Sequence, residues 1–209
     1  MKSTKNIRRL LPTFGILIFI GVSFYAASLY PGGSQVDANA EGFDCFNNYW
    51  CNLMSEKGEN GVENPARWVA IASMAFLCAS MILFFFYFAT TFEKNNLWKR
   101  TIKISGAVSM SAGALIFTTY HDVMTTILSV FGTLVIIALL RTLYKRNMMF
   151  YMVSGVVCII LIVLNNLFYY TESLLPYLPT TQKITFILIL AWTIALNFKM
   201  IQNKMVVKY

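Results

Sequence analysis

The chain has 209 residues, of which 57% are hydrophobic and only 12% are charged. This composition excludes an ordinary water-soluble globular protein and an intrinsically disordered one, and it indicates an integral membrane protein. The net charge of +8 does not indicate nucleic-acid binding, because the basic residues are scattered at the ends of apolar segments rather than gathered on one polar face.

Six apolar segments are each long enough to cross a bilayer as a helix. They cover residues 10–30, 68–92, 104–120, 123–140, 148–170 and 184–201. The first segment follows a basic start and resembles a signal peptide, but its length of about twenty residues favours a retained helix. The sequence therefore predicts an all-α fold, a six-transmembrane-helix bundle that forms one domain over residues 1–209.

The third and fourth segments belong to one stretch, Ile104 to Leu140, in which only His121 and Asp122 are charged or readily titratable. As one helix the stretch would be roughly 55 Å long, against a hydrocarbon core of about 30 Å. The stretch must therefore fold back once. We expect the turn at His121 and Asp122.

The basic residues predict how the bundle is oriented. Fourteen of the seventeen Lys and Arg residues lie in four clusters that a six-span bundle places on one side: Lys2, Lys5, Arg8, Arg9; Lys94, Lys99, Arg100, Lys103; Arg141, Lys145, Arg146; and Lys199, Lys204, Lys208. Eight of the nine acidic residues fall on the other side: Asp37, Glu41, Asp44, Glu56, Glu59, Glu63, Asp122 and Glu172. The positive-inside rule then places both termini in the cytoplasm.

One long extracytoplasmic loop, residues 31–67, joins the first two spans. It opens with the turn residues Pro31, Gly32 and Gly33, and it closes with Asn64 and Pro65, a capping residue followed by a proline that starts the second span. The sequence places no other long segment outside the membrane.

Aromatic residues in this loop favour a short helix at headgroup depth. Phe43, Phe46, Trp50 and Leu53 recur at spacings of three and four, and aromatic side chains prefer the membrane interface. The alternative is an irregular loop that packs the same side chains over the bundle.

Cys45 and Cys51 lie in the same loop, where an oxidising compartment would favour a disulfide. A disulfide conflicts with the helix, because six helical residues separate two Cα atoms by about 9 Å and a bridge tolerates about 7 Å. The spacing is not that of a C-x-x-C redox motif. Cys78 and Cys158 lie within spans, where we expect them to pack.

Polar residues inside the spans form two patterns. Asp122, Thr126, Ser129 and Thr133 share one face of the fourth span, and Asn165 and Asn166 of the fifth span would face it. Ser105, Ser109 and Gly113 form a ridge of small residues on the third span, suited either to packing within one bundle or to a homo-oligomer.

These patterns predict a polar pocket that opens at the extracytoplasmic face. His121 would be a base or proton carrier, with Asp122 as its orienting partner. Arg67 would receive a phosphate or carboxylate. The predicted ligand-binding set is Arg67, His121, Asp122, Thr126, Ser129 and Asn165. The alternative is that His121 and Asp122 cap the hairpin while the hydroxyls bond to their own helices.

The chain resembles the bacterial domain of unknown function 998 family, which is related to the six-helix Frag/DRAM/Sfk membrane protein group. The resemblance is carried by Asn52-Leu53-Met54-Ser55, Gly61, Asn64-Pro65, Asn95-Asn96 and His121, and by the tracts YPGGSQ and NYWCNLM. Eukaryotic members of that group include autophagy modulators and a factor that remodels GPI-anchor lipids. The resemblance implies lipid-related work, and we expect a multi-pass protein of the bacterial inner membrane.

Two functions from different classes fit these features. The first is a lipid-binding or lipid-organising protein without catalysis, whose partners are membrane lipids. The second is a membrane-embedded acyl-transfer or hydrolytic enzyme with His121 as base and Ser55 as a candidate nucleophile. A small-solute transporter is less favoured, because no internal repeat is evident. A single histidine argues against a catalytic zinc site, and we expect no metal and no cofactor.

Overall fold

A computed structural model describes the backbone of residues 2–206 and the side chains of residues 9–202. The described residues contain no β-strand, so the predicted all-α class is confirmed. The helices are α1 (Lys2–Ser28), α2 (Arg67–Phe92), α3 (Asn96–Gly113), α4 (His121–Lys145), α5 (Met149–Tyr170) and α6 (Leu178–Val206). Two short 3-10 helices cover Trp50–Met54 and Glu172–Tyr177.

Within the described part of the chain, five helical stretches are long and apolar enough to cross a membrane, and they indicate an integral membrane protein. They are Arg9–Ser28, Arg67–Phe92, His121–Lys145, Met149–Tyr170 and Glu172–Gln202. Each coincides with one of the apolar segments predicted from the sequence.

The remaining helix, α3, differs from the predicted third span. It begins at Asn96, where the Asn95 side chain accepts hydrogen bonds from the backbone N–H groups of Leu97 and Trp98 at 2.9 and 3.2 Å. It ends at Gly113 rather than near Tyr120. Basic residues occupy its first two turns, which leaves α3 less apolar than the other helices.

The chain reverses between α3 and α4 through consecutive turns over residues 114–120. Their backbone groups are paired, for example Leu115 N–H to Ala112 O at 3.0 Å and His121 N–H to Thr118 O at 3.1 Å. His121 is therefore the first residue of α4. The predicted turn at His121 and Asp122 is wrong, because the reversal is complete before them.

Small residues bring the first four helices close together. A Cβ on Gly15 of α1 would overlap the Ser80 side chain of α2, so these helices cross in near backbone contact. On α3, Ser109 Oγ donates to the Leu128 carbonyl of α4 at 3.1 Å. The ridge of Ser105, Ser109 and Gly113 thus serves packing within the bundle.

Helices α4 and α5 are packed mainly at one end. They are joined by the short connection of residues 146–148, and Leu140 of α4 contacts Gly155 of α5 nearby. Toward the other end the two helices diverge, and α5 is held instead by α6, where Asn165 Nδ2 donates to Thr185 Oγ1 at 2.9 Å. The divergence opens a cleft between α4 and α5.

Residues 29–66, which we call the lid, cover the end of the bundle where this cleft opens. Trp50 packs against Phe19 of α1 and Phe186 of α6, with ring centroids 5.9 Å apart in both pairs. Asn64 Nδ2 donates to the carbonyls of Asn52, Leu53 and Ser55 at 3.0 to 3.3 Å. The lid is therefore held both to the bundle and to itself.

The predicted short helix from Phe43 to Leu53 is wrong, and the alternative of an irregular loop is correct. Asp44 Oδ1 accepts from the N–H groups of Phe46 and Asn47, which closes a tight turn. Tyr49 is extended (φ −71°, ψ 154°), so helical structure resumes only as the 3-10 helix Trp50–Met54.

The four cysteines have free thiols in the structure, so it does not contain the predicted disulfide between Cys45 and Cys51. The two side chains have different surroundings, since Cys51 faces a cavity beneath the lid and Cys45 does not. Cys78 and Cys158 are buried within α2 and α5, as expected for packing residues.

Candidate functional site

A cavity of about 1100 Å3 lies under the lid, where α4 and α5 diverge. The lid contributes Tyr49, Cys51, Met54 and Ser55, and the turn before α4 contributes Ile116, Phe117 and Thr118. Helix α4 contributes His121, Asp122, Thr125, Thr126, Ser129 and Val130. Helices α5 and α6 contribute Asn165, Asn166, Tyr169, Tyr170, Leu178 and Gln182. Its volume is near the upper end of the range for small-molecule sites.

The structure brings most of the predicted site residues together around this cavity. His121, Asp122, Thr126 and Ser129 line it from α4, and Asn165 lines it from α5. Their helical spacing places the four α4 residues on one face, as the sequence indicates. Asn166 and the candidate nucleophile Ser55 line the same cavity.

Arg67 is the exception among the predicted ligand-binding residues. Its guanidinium pairs with the Glu56 carboxylate at 2.9 Å and lies 5.1 Å from the centroid of the Trp68 ring. It does not line the cavity. Arg67 therefore lies apart from the other predicted ligand-binding residues, and its guanidinium is paired with a lid carboxylate.

His121 and Asp122 contact each other directly, although neighbouring helical residues usually diverge. His121 Nδ1 lies 3.2 Å from Asp122 Oδ1. The side chains are 62% and 104% exposed relative to a reference residue, so neither is enclosed by protein. An exposed pair of this kind adds little to stability. Its position leaves both groups accessible to a ligand in the cavity.

The hydroxyl groups on α4 bond back to their own helix, as the alternative interpretation expects. Thr125 Oγ1 donates to the His121 carbonyl at 2.7 Å, and Thr126 Oγ1 donates to the Asp122 carbonyl at 2.8 Å. These bonds satisfy each hydroxyl proton in an apolar environment. They leave oxygen lone pairs on two residues that line the cavity, and these can accept hydrogen bonds from a ligand.

A shallow apolar groove along α4 adjoins the cavity. Ser129, Val130, Thr133 and Leu134 line this second recess, and Val130 and Leu134 are 55% and 45% exposed. Ser129 and Val130 line both recesses, so the cavity and the groove lie side by side. The site therefore combines polar groups beneath the lid with an exposed apolar groove beside them.

The aromatic residues that line the cavity were not predicted from the sequence. Tyr49, Phe117, Tyr169 and Tyr170 line the cavity from three different segments. The adjacent tyrosines Tyr169 and Tyr170 at the end of α5 were a usable signal, because such residues mark a membrane interface. Nothing in the local sequence shows that Tyr49 and Phe117 come to lie beside them.

Cys51 is the lid cysteine that lines the cavity, and its pKa is shifted. Burial raises the pKa of the Cys51 thiol, and the nearby Glu59 carboxylate adds to that effect. A raised pKa leaves Cys51 mostly protonated and a poor nucleophile. Among residues 9–202 no group of three or more His, Cys, Asp or Glu side chains is arranged to hold a metal ion.

No protein-family model, no curated protein and no solved structure matches this chain. The resemblance to the domain of unknown function 998 family therefore stays a prediction, and the function is argued from the site alone.

Proposed function

We propose that this membrane protein binds a lipid through the cavity beneath the lid. The head group would occupy the polar compartment around His121, Asp122 and Asn165, and an acyl chain would lie along Val130 and Leu134. The observation that carries the proposal is that the two recesses adjoin at Ser129 and Val130, because polar groups beside an apolar groove match an amphiphile.

The proposed setting is a bacterial inner membrane with both termini in the cytoplasm and the lid outside. This orientation is supported by the described basic residues at the helix ends away from the lid, which are Arg9, Lys94, Lys99, Arg100, Lys103, Arg141, Lys145 and Arg146. Glu93 is the acidic residue that falls among them, and its carboxylate is paired with Arg141 at 3.1 Å. Glu93 therefore adds no unpaired negative charge at the basic end of the bundle.

Membership of the domain of unknown function 998 family is part of the proposal. Two residues that carry the resemblance have clear roles in the lid. Gly61 has a φ of +80°, a left-handed conformation that favours glycine, and Asn64 ties the lid to itself. Both residues therefore have structural roles in the segment that carries the resemblance.

An acyl-transfer or hydrolytic enzyme is the second candidate. Asp122 contacts His121 Nδ1, which is how an orienting carboxylate holds a catalytic histidine, and Ser55 lines the same cavity. No hydrogen bond joins Ser55 to His121, although both lie in the described part of the chain. We therefore prefer lipid binding.

Mass spectrometry of lipids that copurify with the protein tests the proposal. Ser129→Phe places a bulky ring where the two recesses meet, and it should reduce the retained lipid at least fivefold. Val153→Phe is the matched control, because Val153 is 53% exposed on α5 and lies outside the cavity. Equal lipid retention by wild type and Ser129→Phe would contradict lipid binding at this site.

The same preparations distinguish the enzyme. If the protein is a hydrolase, Ser55→Ala and His121→Ala should both abolish release of fatty acid from added lipid while lipid still copurifies. If it is a binding protein, no release is detected in wild type, and His121→Ala reduces copurification alone. Cleavage that requires both Ser55 and His121 would favour the second candidate.

A further inference from the structure

Three threonine hydroxyls that line the cavity beside α4 are placed to act as acceptors. Thr118, Thr125 and Thr126 line the cavity, and each donates its hydroxyl proton to a backbone carbonyl at 2.7 to 2.8 Å. A hydroxyl whose proton is engaged offers a ligand only oxygen lone pairs. This wall of the cavity therefore suits a ligand that donates hydrogen bonds.

The asparagines on α5 add two acceptors, although each Nδ2 carries two protons and only one of them is engaged. Asn166 Nδ2 donates to the Ile162 carbonyl, and Asn165 Nδ2 donates to Thr185 Oγ1, both at 2.9 Å. Thr185 Oγ1 itself donates to the Thr181 carbonyl, so it must accept from Asn165, and the amide orientation is fixed. The Oδ1 atoms of Asn165 and Asn166 are then available to a donor in the cavity.

The formal charge of the cavity is also suited to a cation. The Asp122 carboxylate lines the cavity, and in the described residues its one ion-pair contact is with His121. No described lysine or arginine lines the cavity. The nearby cations are engaged elsewhere: Arg67 pairs with Glu56, and Lys183 donates to the carbonyls of Asn48 and Pro179.

Aromatic rings complete the arrangement. Tyr49 and Phe117 line the cavity, and so do Tyr169 and Tyr170 of α5. Aromatic rings attract ammonium groups through their negative faces. Three of these rings also carry hydroxyls, which remain able to donate to a phosphate in the same head group.

We propose that the cavity selects lipids whose head group carries a primary ammonium, as in phosphatidylethanolamine, with Asp122 as the counter-ion. The inference rests on the proposed function, because it names the class of lipid that the site would bind. A primary ammonium donates up to three hydrogen bonds to the acceptor-rich wall, whereas a choline group has none to donate and a glycerol head group lacks the positive charge.

Native mass spectrometry of the purified full-length protein tests this selectivity. The probes are phosphatidylethanolamine, phosphatidylcholine and phosphatidylglycerol with identical acyl chains. We expect phosphatidylethanolamine to bind about tenfold more tightly than phosphatidylglycerol, with phosphatidylcholine between them. Glycerophosphoethanolamine, the head group without acyl chains, should compete weakly; affinity equal to that of the whole lipid would overturn a lipid ligand.

Asp122→Asn should reduce the preference for phosphatidylethanolamine over phosphatidylglycerol to less than twofold. The matched control is Glu172→Gln, which removes an exposed acidic side chain outside the cavity and should keep the full preference. Tyr169→Leu leaves the carboxylate in place and should lower phosphatidylethanolamine affinity two- to fivefold. It tests the same inference if Asp122→Asn fails to fold.

The outcomes separate the two proposals. If wild type binds phosphatidylglycerol as tightly as phosphatidylethanolamine and Ser129→Phe abolishes both, the head-group inference is overturned and lipid binding stands. If none of the lipids binds wild type more tightly than Ser129→Phe, lipid binding in the cavity is overturned as well.

Discussion

The Glu93 carboxylate, directly after α2, lies 3.1 Å from the Arg141 guanidinium near the end of α4. Both side chains are largely buried, with 7% and 23% of their surfaces exposed. Thr142 Oγ1 donates to the same carboxylate at 2.7 Å, and the Arg141 guanidinium stacks over the Trp98 ring of α3 at 4.3 Å. This network joins three helices at the end of the bundle opposite the lid.

Glu93→Gln should destabilise the protein by roughly 3 kcal/mol, because it leaves the Arg141 charge without its partner in a largely buried position. The measurement is thermal unfolding in detergent followed by circular dichroism, with Glu172→Gln as a control for loss of an exposed acid. A Glu93→Gln variant with the same melting temperature as the control would show that the ion pair does not hold these helices together.

The pH dependence of stability should report the same network. Burial alone would raise the pKa of Glu93, but hydrogen bonds from Thr142 and from the Asn95 N–H, together with the charge of Arg141, bring the net pKa below its ordinary value of 4.5. A carboxyl whose folded pKa is lowered stabilises the fold above its unfolded pKa and loses that contribution as pH falls through the folded pKa.

We therefore expect the melting temperature of wild type to fall as pH decreases below about 4.5. Asp44 in the lid also has a lowered pKa, chiefly because Asn47 donates a hydrogen bond to it, and it contributes in the same direction. The comparison with Glu93→Gln isolates the Glu93 component, since the variant should show a shallower decrease. Parallel curves for the two proteins would contradict the assignment.

Asn64→Ala should loosen the lid without unfolding the bundle. The substitution removes the side chain that bonds three lid carbonyls and accepts from the Ala66 N–H, at a cost of about 2 kcal/mol of local stability. Limited proteolysis should then cleave residues 29–66 more than tenfold faster than in wild type. Asn39→Ala, at an exposed lid residue, is the control and should not change the rate.

Thiol labelling tests the orientation of the chain. In intact cells a membrane-impermeant maleimide should label Cys45, because the proposed topology places the lid outside. Cys51 should react more slowly, since burial raises the pKa of its thiol and reduces the thiolate. Single-cysteine variants separate the two rates. Labelling of Cys45 only after the cells are broken would invert the topology.

Local pattern was enough to predict the helical class and the polar residues that α4 and α5 contribute to the cavity. The spacing of Asp122, Thr126 and Ser129 determines one helical face, and that face meets Asn165 because α4 and α5 are consecutive. The predicted turn at His121 and Asp122 was wrong, because the reversal occupies residues 114–120 and His121 begins α4.

Contacts between distant residues could not be predicted in the same way. Arg67 is paired by Glu56 through the folding of the lid, and Glu93 is paired by Arg141, forty-eight residues further on. The irregular path of the lid depends on side-chain bonds such as Asn48 Nδ2 to the Gly33 carbonyl. Sequence periodicity carries no information about pairings of this kind.

Photocrosslinking with a lipid that carries a diazirine in its acyl chain tests lipid binding in the cavity most directly. The protein is irradiated in the membrane, and the crosslinked peptides are mapped by mass spectrometry. Lipid held in the groove should crosslink mainly to Val130 and Leu134, and Ser129→Phe should abolish those crosslinks. Crosslinks spread evenly over exposed residues outside the groove, such as Ile137, Val153 and Ile160, would show only surrounding bilayer lipid and would contradict a specific site.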